Sequence, residues 1–244
     1  MKTIGMIGGM SWESSIEYYR LVNEAVKQQL GGLHSAQCLM YSVDFAEIER
    51  YQHQGDWEKA TQVMMAAAQR LERGGADFVV ICTNTMHKMA DEVQASIQIP
   101  LLHIVDATAH AIHSRNLGKV GLLGTRFTME GDFYVGRLES HGLNVVIPDA
   151  KEREIVHRII YQELVLGKIL PSSRDEYQRI IQNLQSRGAE GIVLGCTEIG
   201  LLVKQEDTGL PVFDTTLVHA LAAVDVALGK HQIDEFMAIT KPGI

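Results

Sequence analysis

Residues 71–83 and 184–196 align with one another without a gap, at an offset of 113 residues. Ahead of them, Ile4-Gly5-Met6-Ile7-Gly8 aligns with Val120-Gly121-Leu122-Leu123-Gly124 at an offset of 116. Leu, Gly, Ala and Val are identical at 71/184, 75/188, 76/189 and 80/193, and acidic or branched apolar character is kept at 77/190, 79/192 and 81/194. Matches that recur in the same order through both halves read as an internal duplication. Such a chain is confined to folds made of two similar units, and its function is expected at corresponding points of both.

Each half alternates two kinds of segment. Short, almost wholly apolar runs occur at Thr3–Ile7, Cys38–Val43, Phe78–Cys82, Leu101–Ile104, Val120–Leu123, Val145–Ile147, Ile192–Leu194 and Val212–Phe213. They suit strands buried on both faces. Between them lie stretches with helical spacing, among them Ser14–Gln29, Trp57–Arg73, Asp106–Arg115, Glu152–Leu166 and Arg174–Arg187. The expected fold class is α/β: two similar lobes with parallel-rich sheets, related by duplication, with the active site in the cleft between them. The first lobe is expected over 1–104 plus 208–244, the second over 105–207, and Gly229–Ile244 reads as a poorly packed tail.

Charge and cysteine usage narrow the function classes. The 244 residues carry 22 basic and 30 acidic side chains, a formal net charge of −8, with no Lys/Arg cluster. Nucleic acid and anionic membrane are therefore excluded as partners, whereas a small anion held by a few donors is not. Cys38, Cys82 and Cys196 are widely spaced and form no C-x-x-C pair, which argues against a disulfide framework or a zinc site and for a reducing compartment. The N-terminus does not read as a secretion leader and no run is long enough to span a bilayer, so a cytoplasmic location is expected.

The gapless pairing sets Thr83 opposite Cys196, Asn84 opposite Thr197 and Thr85 opposite Glu198, each set leaving a strand for a helix. Backbone N–H groups and hydroxyls at such an end can hold a carboxylate. Two such ends could grip an amino acid with a proton-transferring side chain on each face of Cα, as stereoinversion requires. A helix N-terminus lowers a thiol pKa, which makes Cys196 a candidate base; as a small buried hydrophobe it would be inert. Gly8-Gly9 reads as a tight strand-to-helix turn, because the Gly-x-Gly-x-x-Gly pattern of a dinucleotide site is missing. His87 reads as a polarising group or a structural cap, His219 is similarly open, and His110 and His113 share a helical face without a third metal ligand.

Ile7-Gly8-Gly9-Met10-Ser11, Cys82-Thr83-Asn84-Thr85-Met86-His87 and Gly195-Cys196-Thr197-Glu198 resemble the aspartate/glutamate racemase family over nearly the whole chain. Glu163-Leu164 with Gly167, and Phe213-Asp214-Thr215-Thr216 with His219, add to the resemblance. It implies a cofactor-independent racemase of two α/β lobes, commonly a homodimer, in which two cysteines flank the substrate Cα and work in opposite directions. Apolar residues around Ser14–Val22 could serve such a dimer. The family pattern has Cys directly before Asn-Thr in the first half; here Thr83 stands there and Cys82 is displaced by one. Adjacent residues of an extended segment point to opposite sides, so Cys82 cannot substitute.

The expected roles follow. Cys196 deprotonates the L-enantiomer and Thr83 reprotonates the other face, so turnover is biased from L to D. Asn84, Thr85, Thr197 and Glu198 surround the α-groups, with Glu198 the ammonium partner, and Met10 lies on the cleft wall. Gln52 or Arg50 binds a side-chain carboxylate, Gln52 being favoured because Glu47 and Glu49 can occupy Arg50. Family members that recognise aspartate place a lysine where Val165 stands here, which leaves glutamate and broader substrates open; Lys168 lies one turn away. The runner-up readings are a maleate isomerase or hydantoin racemase relative, and an amino-acid-binding protein with weakened catalysis.

Overall fold

The computed structural model describes residues 1–237. Two compact units are formed: unit 1 from Met1–Ile104 with His219–Phe236, and unit 2 from Val105–Val218 with Met237. Unit 1 contains β1 (Ile4–Gly8), α1 (Trp12–Leu30), β2 (Cys38–Ser42), α2 (Phe45–Gln54), α3 (Trp57–Arg73), β3 (Phe78–Ile81), a 3-10 turn at Thr85–Met89 and α4 (Ala90–Ala95). Its sheet is parallel, in the order β2-β1-β3. From Ile104 the chain runs through α5 (Ile104–His113), β4 (Lys119–Gly124), α6 (Arg126–Glu130), α7 (Asp132–Ser140), β5 (Asn144–Val146), α8 (Ala150–Gln162), α9 (Pro171–Ser186), β6 (Gly191–Gly195), α10 (Ile199–Leu202), β7 (Val212–Asp214) and α11 (Thr215–Ala227). The second sheet is also parallel, β5-β4-β6-β7. The α/β class and the parallel sheets are those expected.

The duplication extends to single contacts. Gly75 and Gly188 both take positive φ, 93° and 92°, the left-handed region open to glycine. The next residue turns back onto the helix, Ala76 N–H to Leu71 O at 3.1 Å and Ala189 N–H to Leu184 O at 3.1 Å. The acid after it pins the neighbouring strand: Asp77 Oδ2 accepts from Thr3 N–H at 2.6 Å, and Glu190 Oε2 accepts from Gly118 and Lys119 N–H at 2.8 and 2.9 Å. Leu71 and Leu184 then rest on glycines of the central strands, where a Cβ on Gly5 would stand 3.4 Å from Leu71 Cβ and one on Gly121 3.3 Å from Leu184 Cβ. Each buried leucine contributes about 2 kcal/mol of apolar transfer.

Two expectations are corrected and a third is qualified. Leu101–Ile104 is not a strand: only an isolated bridge joins Val79 to Leu101, and α5 begins at Ile104. The return to the first unit falls at His219 rather than 208, because β7 pairs with β6 over Ile192–Leu194 and belongs to the second sheet. The described part of the supposed tail is exposed or half-buried apart from Phe236, which is buried in a 3-10 turn at Ile233–Phe236; residues 238–244 of it lie outside the described residues. No helix among the described residues is long and apolar enough to cross a membrane.

Candidate active site

In unit 1, β3 delivers Cys82, Thr83 and Asn84 to its C-terminal end. Cys82 N–H bonds to Ile7 O at 2.9 Å, which continues the ladder one residue past the strand. The alternation then decides which side chain is covered: Cys82 is 1% exposed, while Thr83 remains partly open. Burial pushes the Cys82 thiol far above its ordinary range, so it is held neutral. Asn84 is buried and begins the 3-10 turn that carries the half-buried Thr85.

Two further segments stand beside this end. Gly9, at φ 90°, comes so close to β2's exit that a Cβ would lie 2.2 Å from Val43 O, and its N–H is taken by Ser15 Oγ at 2.7 Å. The tight turn expected at Gly8-Gly9 is therefore present, with Met10 buried and packed among the apolar residues of unit 1. On α2, Gln52 is buried and its Nε2 donates to Met86 Sδ at 3.1 Å. Arg50 is exposed, its guanidinium 5.1 Å from the Tyr51 ring centre. The neighbouring acids do not hold it: Glu47 accepts from Tyr51 Oη at 2.9 Å and Glu49 pairs with His53 at 3.0 Å.

In unit 2, β6 delivers Cys196, Thr197 and Glu198. Cys196 Sγ donates to Glu198 Oε2 at 3.0 Å, and Thr197 Oγ1 donates to the same oxygen at 2.7 Å. Burial pushes the Cys196 thiol well above its usual range, and the Glu198 charge and hydrogen bond push it further. The expected lowering by a helix N-terminus is overturned. Bonds from the Glu198 and Ile199 backbones do act in that direction, but α10 has only 4 residues and little dipole to add. The resting group is a thiol with a carboxylate already on its hydrogen.

Sequence reasoning missed Tyr177. It is fully buried on α9, where its hydroxyl donates to Val156 O at 3.4 Å and burial pushes the phenol well up. Its spacing with Ile180, Ile181 and Leu184 reads simply as a core face, which hides it. Glu163, flanking the same region, accepts from Ser173 Oγ and lies 3.6 Å from Arg158. Val165 and Lys168 are both exposed, so neither supplies a buried cation. A separate cavity of about 440 Å³ in unit 2 is lined by Glu152, Arg153, Asn183 and Arg187, among others, and by none of the predicted site residues. No cluster of three or more metal-ligating side chains occurs among the described residues.

Comparison with known proteins decides the family. A model of the Asp/Glu/Hydantoin racemase family matches residues 7–223. The chain belongs to that family. A crystal structure from Yersinia pestis, assigned as an Asp/Glu racemase, superposes with a TM-score of 0.90 at 57% identity, covering 93% of this chain and 100% of that one. An aspartate racemase homologue from Pyrococcus horikoshii OT3 superposes at 0.84 with 37% identity, again covering 93% and 100%. The broad specificity amino-acid racemase RacX of Bacillus subtilis is 25% identical over 176 residues, 71% of this chain and 74% of RacX. The chain is thus an isomerase of the amino-acid racemase type, and the hydantoin racemase alternative falls under the same family description.

The burial of Cys82 beside Thr83 generates a test within this racemase. Cys82→Ala is expected to leave racemisation within about threefold of the parent while lowering stability by about 1 kcal/mol for the small cavity left behind. Chiral chromatography of the products and a denaturant melt measure the two effects. Loss of turnover in a folded Cys82→Ala protein would return the first-half chemistry to the sulfur.

Proposed function

We propose that this racemase inverts L-aspartate and L-glutamate without a cofactor, Cys196 acting on one face of the substrate Cα and Thr83 on the other. The observation that carries the reading is the Cys196 thiol donating to Glu198 at the end of β6, at the position that the duplication matches to Thr83 at the end of β3. The substrate ammonium, held nearer the sulfur than the carboxylate, supplies the positive charge that the resting pair lacks and so favours the thiolate. The thiol proton passes to Glu198, the thiolate takes the Cα proton, and the Thr83 hydroxyl gives its proton to the opposite face and regains one from water as Glu198 returns its own to solvent. Asn84, Thr85 and Thr197 hold the α-groups, and Met10 lines the site. Gln52 binds the side-chain carboxylate: its resting acceptor is a sulfur, which competes weakly for an N–H. A neutral amide discriminates less between chain lengths than a bidentate arginine, which is consistent with two acidic substrates.

A threonine hydroxyl donates a proton more readily than it removes one, so the barrier on the Thr83 side is the higher. Because the two enantiomers are equally stable in solution, kcat/KM is equal in the two directions; the bias expected from L to D therefore cannot appear there, and the asymmetry lies in how the carbanion partitions. A tenfold preference for return to L corresponds to about 1.4 kcal/mol. In heavy water, L-substrate is expected to exchange its Cα hydrogen about tenfold faster than it inverts, whereas D-substrate exchanges only as fast as it inverts; Cys196→Ser abolishes both. Equal exchange-to-inversion ratios for the two enantiomers would reject the asymmetric pair.

The Glu198 role has its own signature. With an internal acceptor, the pair needs one negative charge in total, and kcat/KM is expected to be flat from about pH 6 to about pH 8. In Glu198→Gln the thiol must lose its proton to solvent from a raised pKa. The value at neutrality then falls by about 100-fold and climbs roughly tenfold per pH unit. A flat profile in the variant, with only KM raised, would reduce Glu198 to an ammonium partner.

Self-association belongs to the same proposal. Trp12, Ile16 and Tyr19 lie at helical spacing on α1 and are 62%, 56% and 54% exposed, a stripe suited to a homodimer. Light scattering is expected to give twice the 27.1 kDa chain mass; a monomeric mass at micromolar concentration removes the dimer. Three free thiols support a reducing, cytoplasmic setting.

A further inference from the structure

We propose that His87 is a positioning residue for Thr83: a neutral imidazole that ties the end of β3 to Leu102–Ile104, the segment by which the chain leaves unit 1. The proposal rests on the reading of Thr83 as the proton donor.

The ring is 2% exposed and both of its nitrogens meet backbone. Nδ1 lies 2.8 Å from Thr83 O, and a carbonyl can only accept, so Nδ1 carries the hydrogen. Nε2 lies 3.2 Å from Ile104 N, and a backbone N–H can only donate, so Nε2 is bare. The two partners together select one neutral tautomer; a second ring proton would face the Ile104 N–H head on.

The other side of the exit segment is held in the same manner. His219 Nε2 lies 3.0 Å from Leu102 O and its Nδ1 lies 2.9 Å from Tyr18 Oη, so that ring carries its hydrogen on Nε2 and accepts from the tyrosine. Leu102 N–H bonds to Val79 O of β3 at 2.9 Å. The rings of His103 and His219 lie 4.5 and 5.8 Å from that of His87, filling the space into which it would otherwise turn. The backbone groups flanking His103 are thus each fixed by an imidazole, and one of those imidazoles ends on the carbonyl of Thr83. Holding that carbonyl fixes the rotation of the Thr83 peptide and with it the direction in which the hydroxyl leaves the chain. His87 does not touch the reacting atoms on this account.

The test compares His87→Ala, His87→Asn and His87→Gln with the parent, using L-glutamate in heavy water. Asparagine restores a donor near the place of Nδ1, and glutamine restores a group near the place of Nε2. In the alanine variant, Cα exchange of L-glutamate is expected to stay within about threefold of the parent while inversion falls about tenfold, so their ratio rises. Asparagine recovers most of the lost inversion and glutamine does not. Exchange and inversion falling together, or glutamine matching asparagine, would overturn the proposal. Nitrogen-15 NMR of the parent at neutral pH gives a reading independent of whether any variant folds: His87 protonated on Nδ1 supports the tie and Nε2 protonation refutes it. A parent that neither exchanges nor inverts L-glutamate defeats the functional reading instead, and the NMR result then still judges the tie.

Discussion

The register of β3 on β1, and of β6 on β4, decides which side chain stands at each strand end. Side chains alternate with a period of two, so a slip by one residue would exchange Cys82 for Thr83 and Cys196 for Thr197. Both registers are set before the strands begin, by a glycine at positive φ and an acid that receives N–H groups of the adjacent strand. Asp77 also donates its own N–H to Thr3 O at 2.9 Å, and Glu190 does the same to Lys119 O at 2.8 Å. Hydrogen bonds to charged acceptors are stronger than neutral ones. They lie at the far end of each strand from the chemistry that they position.

Much of this was legible because it is local or periodic. The helix expected over Trp57–Arg73 has the same bounds in the structure, since Asp56 caps it, Gly74 ends it and one face is apolar throughout. The duplication was legible because its glycine, leucine and acid must repeat for the register to repeat. Leu101–Ile104 misled because its apolar run is real but its partners are not continuous. Val79 bonds to Pro100 O and receives Leu102 N–H, and beyond that His87 takes the Ile104 N–H that a strand would have used. Composition along the chain cannot show that a side chain has replaced a ladder bond.

The state of Cys196 was illegible for a related reason. A cysteine followed by a short helix suggests a lowered pKa, and only the fold shows that Glu198, two residues on, turns its carboxylate back onto the sulfur. Likewise Arg50 was set aside on the premise that Glu47 and Glu49 would occupy it, whereas those acids pair with Tyr51 and His53 and the guanidinium lies over a ring. Gln52, by contrast, is buried with its amide on Met86. Which member of a charged run is covered depends on the helix face, and α2, with 10 residues against the 17 of α3, has about two turns fewer to reveal it.

The two strand ends are alike in backbone and unlike in electrostatics. At the end of β6 a thiol and a carboxylate share a hydrogen, so a single added positive charge can shift the proton between them. At the end of β3 the corresponding hydroxyl lies far from any ordinary titration, and its neighbour Cys82 is buried and held neutral. On the proposed mechanism, a charge-poor end has no ionisation with which to adapt to a substrate, so proton transfer there would depend on geometry alone. On that mechanism fixed backbone would matter more there than at the cysteine end, which is the part assigned to the imidazole on the Thr83 carbonyl.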